Sequence, residues 1–312
     1  MRDHEQNDKV AVGSIVEGRT QYFSMRIILS LLFCIFASQL SMAASFNDHF
    51  FYNRDGLRLH YLEAGSGPQT VVFIPGWLMP AAIFRLQLEA LSSEFRVLAF
   101  DPRSQGQSEI YFGAHDVAVR MNDLEDFFLA ADVKEYVLAG WSLGVLESLD
   151  FIERKPQNGL RGLILIDNSI GEGRPPPGRP TKFFDDLAHA ERHKQFLTSF
   201  TASMFKNNAP EDITNAALSS ALQVPVHASI QLISQPYPRT YWRDIVARQK
   251  VPVLYVIRPH LREQGEALLR RKGELAQVEL FADSGHAMFV DEPLRFNALA
   301  AAFVKRIFTS LP

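Results

Sequence analysis

The chain is almost without cysteine, with a single one, Cys34, in 312 residues. That residue lies in a segment expected to be removed (below), so the remaining chain has no thiol for a disulfide, a nucleophile or a thiolate metal site. An excess of basic charge is also missing. Thirty-two Lys and Arg against 35 Asp and Glu leave a formal net charge of −3, with no electrostatic footprint for nucleic acid. There is no glycine-rich phosphate cradle either, because Gly65-Ser66-Gly67 joins two strand-like segments and opens no helix. Nothing repeats, and low complexity is confined to the Pro-rich loop Gly173 to Pro180. What is present is 47% hydrophobic content, enough for the core of one large α/β domain with an inserted lid.

The N-terminal segment, residues 1–44, reads as an extension followed by a signal peptide. Met25-Arg26 supplies a short basic start, 27–37 a largely apolar run, and Ser41-Met42-Ala43-Ala44 the small residues suited to cleavage near Ala43 or Ala44. Residues 1–24 are polar and unpatterned, so Met25 is the expected translation start. The run is interrupted by Ser38, Gln39 and Ser41 and is short for a span of about 20 apolar residues. Export to the periplasm or the medium is therefore expected, with a membrane anchor formed by 27–44 as the alternative. Cys34 follows Phe33, where lipidation requires a small residue, so a lipoprotein is not expected.

From residue 45 onward, strand-like and helix-like patterns alternate. Strands are expected at Leu57–Glu63, Thr70–Ile74, Arg96–Asp101, Glu135–Ala139, Gly162–Asp167, Pro252–Ile257 and Gln277–Ala282. Helices are expected at Ala82–Ser93, Asp116–Ala131, Leu143–Arg154, Glu263–Gly273 and Leu294–Phe308. Near-continuous apolar strands separated by helices imply an α/β fold with a mostly parallel central sheet and helices on both faces. Residues 171–248 break the alternation, with helical patterns at Phe183–Phe205 and Ala209–Leu222 and no strand. They are expected to form a helical cap between two core segments, 45–170 and 249–312. The cap aromatics, Phe183, Phe184 and Phe200 among them, are expected mainly to attach it to the core.

The most specific motif is Gly140-Trp141-Ser142-Leu143-Gly144, between the apolar run ending at Ala139 and the helical segment from Leu143. A G-x-S-x-G at a strand-to-helix turn strains the serine backbone and lifts its Oγ clear of the sheet, while the glycines avoid collisions with neighbouring elements. Three further stretches fall in a meaningful order around it: Phe73-Ile74-Pro75-Gly76-Trp77, Asp101-Pro102-Arg103-Ser104-Gln105-Gly106-Gln107-Ser108, and Asp283-Ser284-Gly285-His286. Together, over about residues 50–310, they resemble the α/β-hydrolase family, in particular its compact, capped, esterase-like branch. The resemblance implies that Ser142 attacks a carbonyl carbon and that His286, after the last strand, acts as its base. It also implies an oxyanion hole from the backbone N–H groups of Trp77 and Leu143, and a structural role for the Asp101–Ser108 loop. No cofactor or metal is called for. His189 and His193 stand four apart on a helical pattern, but no H-E-x-x-H surrounds them.

Three positions depart from the family pattern. Pro75-Gly76 stands where many members have His-Gly, Val145 follows the elbow where a small residue is common, and no acid follows Pro252–Ile257. In that last place, where the family usually supplies its triad carboxylate, the chain reads Arg258-Pro259-His260-Leu261. Two substitutes are open. Asp167 ends the preceding core strand, where certain dehalogenases carry their acid, and Glu263 lies two residues beyond the usual position. Chain position and the short loop favour Asp167, with Glu263 as the alternative.

The elbow serine argues against dehalogenase or epoxide-hydrolase chemistry, which needs an aspartate there. The expected function is hydrolysis of a small apolar or aromatic carboxylic ester through an acyl-enzyme, with the ester as a small-molecule partner. C–C bond hydrolysis, lactone opening and acyl transfer use the same residues. A non-catalytic ligand-binding protein of this fold is the reading from a different class.

Overall fold

The computed structural model describes residues 46–155, 159–174, 181–207, 209–234 and 236–309. The expectations for the N-terminal extension and signal peptide, and for most of the Pro-rich loop, lie outside the described residues. Eight strands form one sheet: β1 (Asn47–Tyr52), β2 (Arg58–Ala64), β3 (Thr70–Ile74), β4 (Arg96–Asp101), β5 (Tyr136–Trp141), β6 (Leu160–Ile166), β7 (Val253–Ile257) and β8 (Ala276–Leu280). Their order across the sheet is β1-β2-β4-β3-β5-β6-β7-β8. The β1–β2 and β2–β4 pairs are antiparallel and every later pair is parallel.

The helices are α1 (Arg85–Leu91), α2 (Val117–Ala130), α3 (Leu143–Arg154), α4 (Thr181–Ala188), α5 (Ala190–Ala202), α6 (Glu211–Gln223), α7 (Val226–Ile233), α8 (Arg239–Arg248), α9 (Arg262–Lys272), α10 (Met288–Asp291) and α11 (Pro293–Thr309). The two-residue period of the central strands divides the core into two layers. Val71 and Phe73 of β3 join one apolar cluster with Phe84, Phe289 and Phe303. Val72 and Ile74 of the same strand join the other, with Phe127, Leu149 and Leu268. Both faces are thus covered, and the central strands are apolar over most of their length because neither face meets water.

The strand ends sit within a residue or two of the expected positions, and α3 coincides with its expected range. β1 was not expected. It is an edge strand with exposed and half-buried residues alternating, so it carries no apolar run, and Arg58 packs over Phe50 at 3.7 Å. Between β6 and β7 the described residues form five helices and no strand. The single helix expected over Phe183–Phe205 is two, because His189 adopts an extended backbone (φ −86°, ψ 117°). There His193 Nδ1 donates to the carbonyl of Leu187 at 2.7 Å, satisfying an orphan acceptor at the end of α4. Helices α6, α7 and α8 each begin directly after a proline, at Pro210, Pro225 and Pro238. Proline tolerates a helix start because no backbone N–H is needed there.

Candidate active site

The site is assembled at the C-terminal ends of the parallel strands, where chain reversals leave side chains free of the sheet. β5 ends at Trp141 and α3 begins at Leu143, so the whole turn is Ser142, at φ 54° and ψ −120°. A non-glycine residue in that region is strained and is retained only where the surroundings over-determine it. Here the Ser142 N–H donates to the Ile166 carbonyl at 2.9 Å, and its own carbonyl accepts from Asn168 Nδ2 at 2.6 Å. The flanking glycines are required by close approach. A Cβ on Gly140 would lie 2.3 Å from the Gly144 carbonyl oxygen, and one on Gly144 would lie 2.3 Å from that of Ile74. Gly144→Ala is therefore expected to cost about 3 kcal/mol in urea unfolding, since backbone rather than a flexible side chain would have to move. An unchanged midpoint would contradict that close packing.

The loop after β3 runs beside the elbow. A Cβ on Gly76 would come within 3.1 Å of the Ser142 Cβ, so glycine is what lets the two backbones meet. Pro75 does not disturb the loop, which is held at several points. The Leu78 N–H donates to Gln105 Oε1 at 2.8 Å, the Leu78 carbonyl accepts from Ser220 Oγ at 2.8 Å, and Trp77 Nε1 donates to the Ser229 carbonyl at 2.8 Å. Ser220 and Ser229 belong to α6 and α7, so the helical insertion itself braces this loop.

His286 follows β8 and is fixed from two sides. Trp141 Nε1, next to the elbow serine, donates to the His286 carbonyl at 2.9 Å, and their rings lie 5.1 Å apart. The following residue, Ala287, donates its N–H to the Met204 carbonyl of the insertion at 2.9 Å.

Of the two candidate acids, the structure brings Asp167 to His286 and leaves Glu263 elsewhere. Asp167 Oδ2 is 2.6 Å from His286 Nδ1. Glu263, in the first turn of α9, accepts from the Arg174 N–H at 3.3 Å and packs against Gly173. Asp167 lies just past β6 at φ 49°, a left-handed conformation that aspartate tolerates better than most residues. Its side chain is fully buried, whereas that of His286 is 22% exposed. Burial alone raises the Asp167 carboxyl, but the hydrogen bond and charge of His286 and the charge and hydrogen bond of Arg258 outweigh it. The net result is a pKa below the usual carboxylate value.

Arg258 and His60 were not singled out by the sequence. Arg258 stands where the family pattern places a carboxylate after β7, and its Nε lies 2.6 Å from Asp167 Oδ2. His60 is buried, with Nδ1 2.7 Å from Asp101 Oδ2 and Nε2 3.0 Å from Asp48 Oδ1. Asp101 also accepts from the Gln107 and Ala81 N–H groups, at 2.9 and 2.5 Å, so this loop is a structural clamp behind the Gly76–Ala81 segment. Among the described residues, no group of three or more His, Cys, Asp or Glu side chains is arranged to hold a metal ion.

The fold has known counterparts. The chain is 24% identical over 273 residues to the AB hydrolase superfamily protein YisY of Bacillus subtilis (strain 168), spanning 82% of this chain and 98% of that one. Its backbone is similar to an esterase from Exiguobacterium antarcticum (TM-score 0.69, 21% identity), over 82% of this chain and 98% of that one. It is similar also to a bromoperoxidase from Bacillus anthracis (TM-score 0.70, 17% identity), over 83% of this chain and all of that one. The model of the alpha/beta hydrolase family matches residues 71–299, which include the elbow, the loop before it and the histidine after β8. By sequence, sheet order and the placement of these motifs, the chain belongs to the alpha/beta hydrolase family.

Proposed function

We propose that the protein is a serine hydrolase that cleaves a small apolar or aromatic carboxylic ester through an acyl-enzyme. The observation that carries this reading is the 2.6 Å contact between His286 Nδ1 and the buried Asp167 carboxylate, with the His286 carbonyl tied to Trp141, the neighbour of the strained elbow serine. With Nδ1–H donated to Asp167, the lone pair of His286 is on Nε2, available to take the Ser142 proton. Ser142 Oγ attacks the carbonyl carbon, and its proton passes to Nε2. The carbonyl oxygen becomes an oxyanion that accepts from the Trp77 and Leu143 N–H groups. Collapse breaks the ester C–O bond, and the proton on Nε2 leaves with the alcohol. Water then attacks the acyl-enzyme by the same steps in reverse, freeing the acid and Ser142. Asp167 keeps the imidazole in the required tautomer and stabilises its cation.

The aromatic side chains of the insertion favour an apolar group. Phe200 of α5 meets Trp77 edge-on at 5.0 Å, Phe183 of α4 lies 5.6 Å from it, and both remain half-buried. In this reading residues 171–248 act as a cap and the partner is a small ester. The protein works outside the cytoplasm after removal of residues 1–44, and on the membrane only if that segment persists. The test is turnover of a p-nitrophenyl ester series of short to medium chain length. A serine-dependent rate with a chain-length optimum is expected, and silence across the series from folded protein would contradict the esterase reading.

A further inference from the structure

In place of an acid after β7 the chain carries a base that grips the acid after β6. Arg258 makes three contacts at this point. Its backbone N–H donates to Asp167 Oδ1 at 3.2 Å, its Nε donates to Asp167 Oδ2 at 2.6 Å, and its Nη2 lies 3.5 Å from His286 Nδ1. Oδ2 is the same oxygen that faces His286 Nδ1 at 2.6 Å, so one carboxylate oxygen receives donors from two loops. The Asp167 N–H is itself tied to the Val256 carbonyl at 2.8 Å, which stitches the ends of β6 and β7 together.

We propose that Arg258 is a positioning residue that locks the Asp167 carboxylate toward His286. This rests on the hydrolase reading above, in which Asp167 orients His286. The locking follows from geometry. A carboxylate in a left-handed turn has several rotamers, and a guanidinium fork with a backbone N–H selects one.

The other groups around His286 do not duplicate this influence. His260, on the turn after Arg258, is held below the usual histidine value by burial, opposed by Asp167 and reinforced by Arg258 and His286. On its own loop, exposed Asp283 lies 3.7 Å from Lys206 Nζ, and Asp291 accepts from the Gly285, Lys206 and Asn207 N–H groups. Glu292 faces Ser284 and Arg295. Trp141 and the Met204 carbonyl, from β5 and the insertion, are neutral.

The experiment measures kcat and KM on a p-nitrophenyl ester for the wild type, Arg258→Gln, Arg258→Lys, Arg258→Met and Ser142→Ala. Gln and Lys keep a side-chain donor for Asp167, so their kcat is expected to stay within about threefold of wild type. Met leaves only the backbone N–H, so kcat is expected to fall about tenfold with KM unchanged. The downfield proton resonance between His286 and Asp167 reads the same contact without activity, and is expected to persist in Gln and Lys and to weaken in Met. A kcat and a resonance in Met equal to those of the wild type overturn the proposal, whereas a Ser142→Ala enzyme that retains turnover overturns the hydrolase reading instead.

Discussion

Ser142→Ala is expected to lower kcat on a p-nitrophenyl ester by a factor on the order of 10⁵ to 10⁶, leaving only the residual rate from substrate binding and the oxyanion donors. The fold should be unaffected. Alanine keeps a Cβ at the same φ of 54° and ψ of −120°, so the strain of the turn is neither relieved nor increased. The hydrogen bonds that fix the turn are made by the backbone of residue 142, to Ile166 and from Asn168, and survive the substitution. The informative pair of measurements is therefore the rate and the urea midpoint. A lost rate with an unchanged midpoint identifies a chemical role, and a retained rate removes the acyl-enzyme mechanism.

The second large effect separates the two acids that the sequence left open. Asp167→Asn is expected to lower kcat by about 10⁴, because an amide favours the wrong imidazole tautomer and leaves the forming imidazolium without its counter-charge. It also leaves the Arg258 guanidinium without its carboxylate partner, so some stability is lost as well. Glu263→Gln, by contrast, alters a partly exposed contact to the Arg174 N–H at 3.3 Å. Its kcat is expected to stay within about twofold, and its stability within about 0.5 kcal/mol. Reversed results, with Glu263→Gln inactive and Asp167→Asn active, would move the acid to the loop after β7.

Much of this arrangement is legible in the chain because its signals are local. The elbow needs five consecutive residues, and the strand before it is apolar at every position because both faces are buried. Asp167 is legible in position, at the end of a core strand. Its contact with His286 is not, since the two are 119 residues apart in sequence. Arg258 escaped for a related reason. It is paired across 91 residues with a group that only the sheet order brings near, and an arginine on a loop gives no local sign of that. In the insertion, aromatics such as Phe183, Phe196 and Phe200 hide the break at His189, which is a matter of backbone and capping rather than periodicity. Helices α7 and α8 are short, eight and ten residues, and periodicity over so few positions is weak beside the proline starts that delimit them.

The central claim is that Ser142 becomes covalently acylated with His286 as its base, and an active-site-directed fluorophosphonate tests that most directly. Incubation followed by intact-mass and peptide mass spectrometry is predicted by this account to give one adduct per chain, on Ser142. It should be absent in Ser142→Ala and slowed by orders of magnitude in His286→Ala. An unmodified protein, or an adduct on another residue, would contradict it.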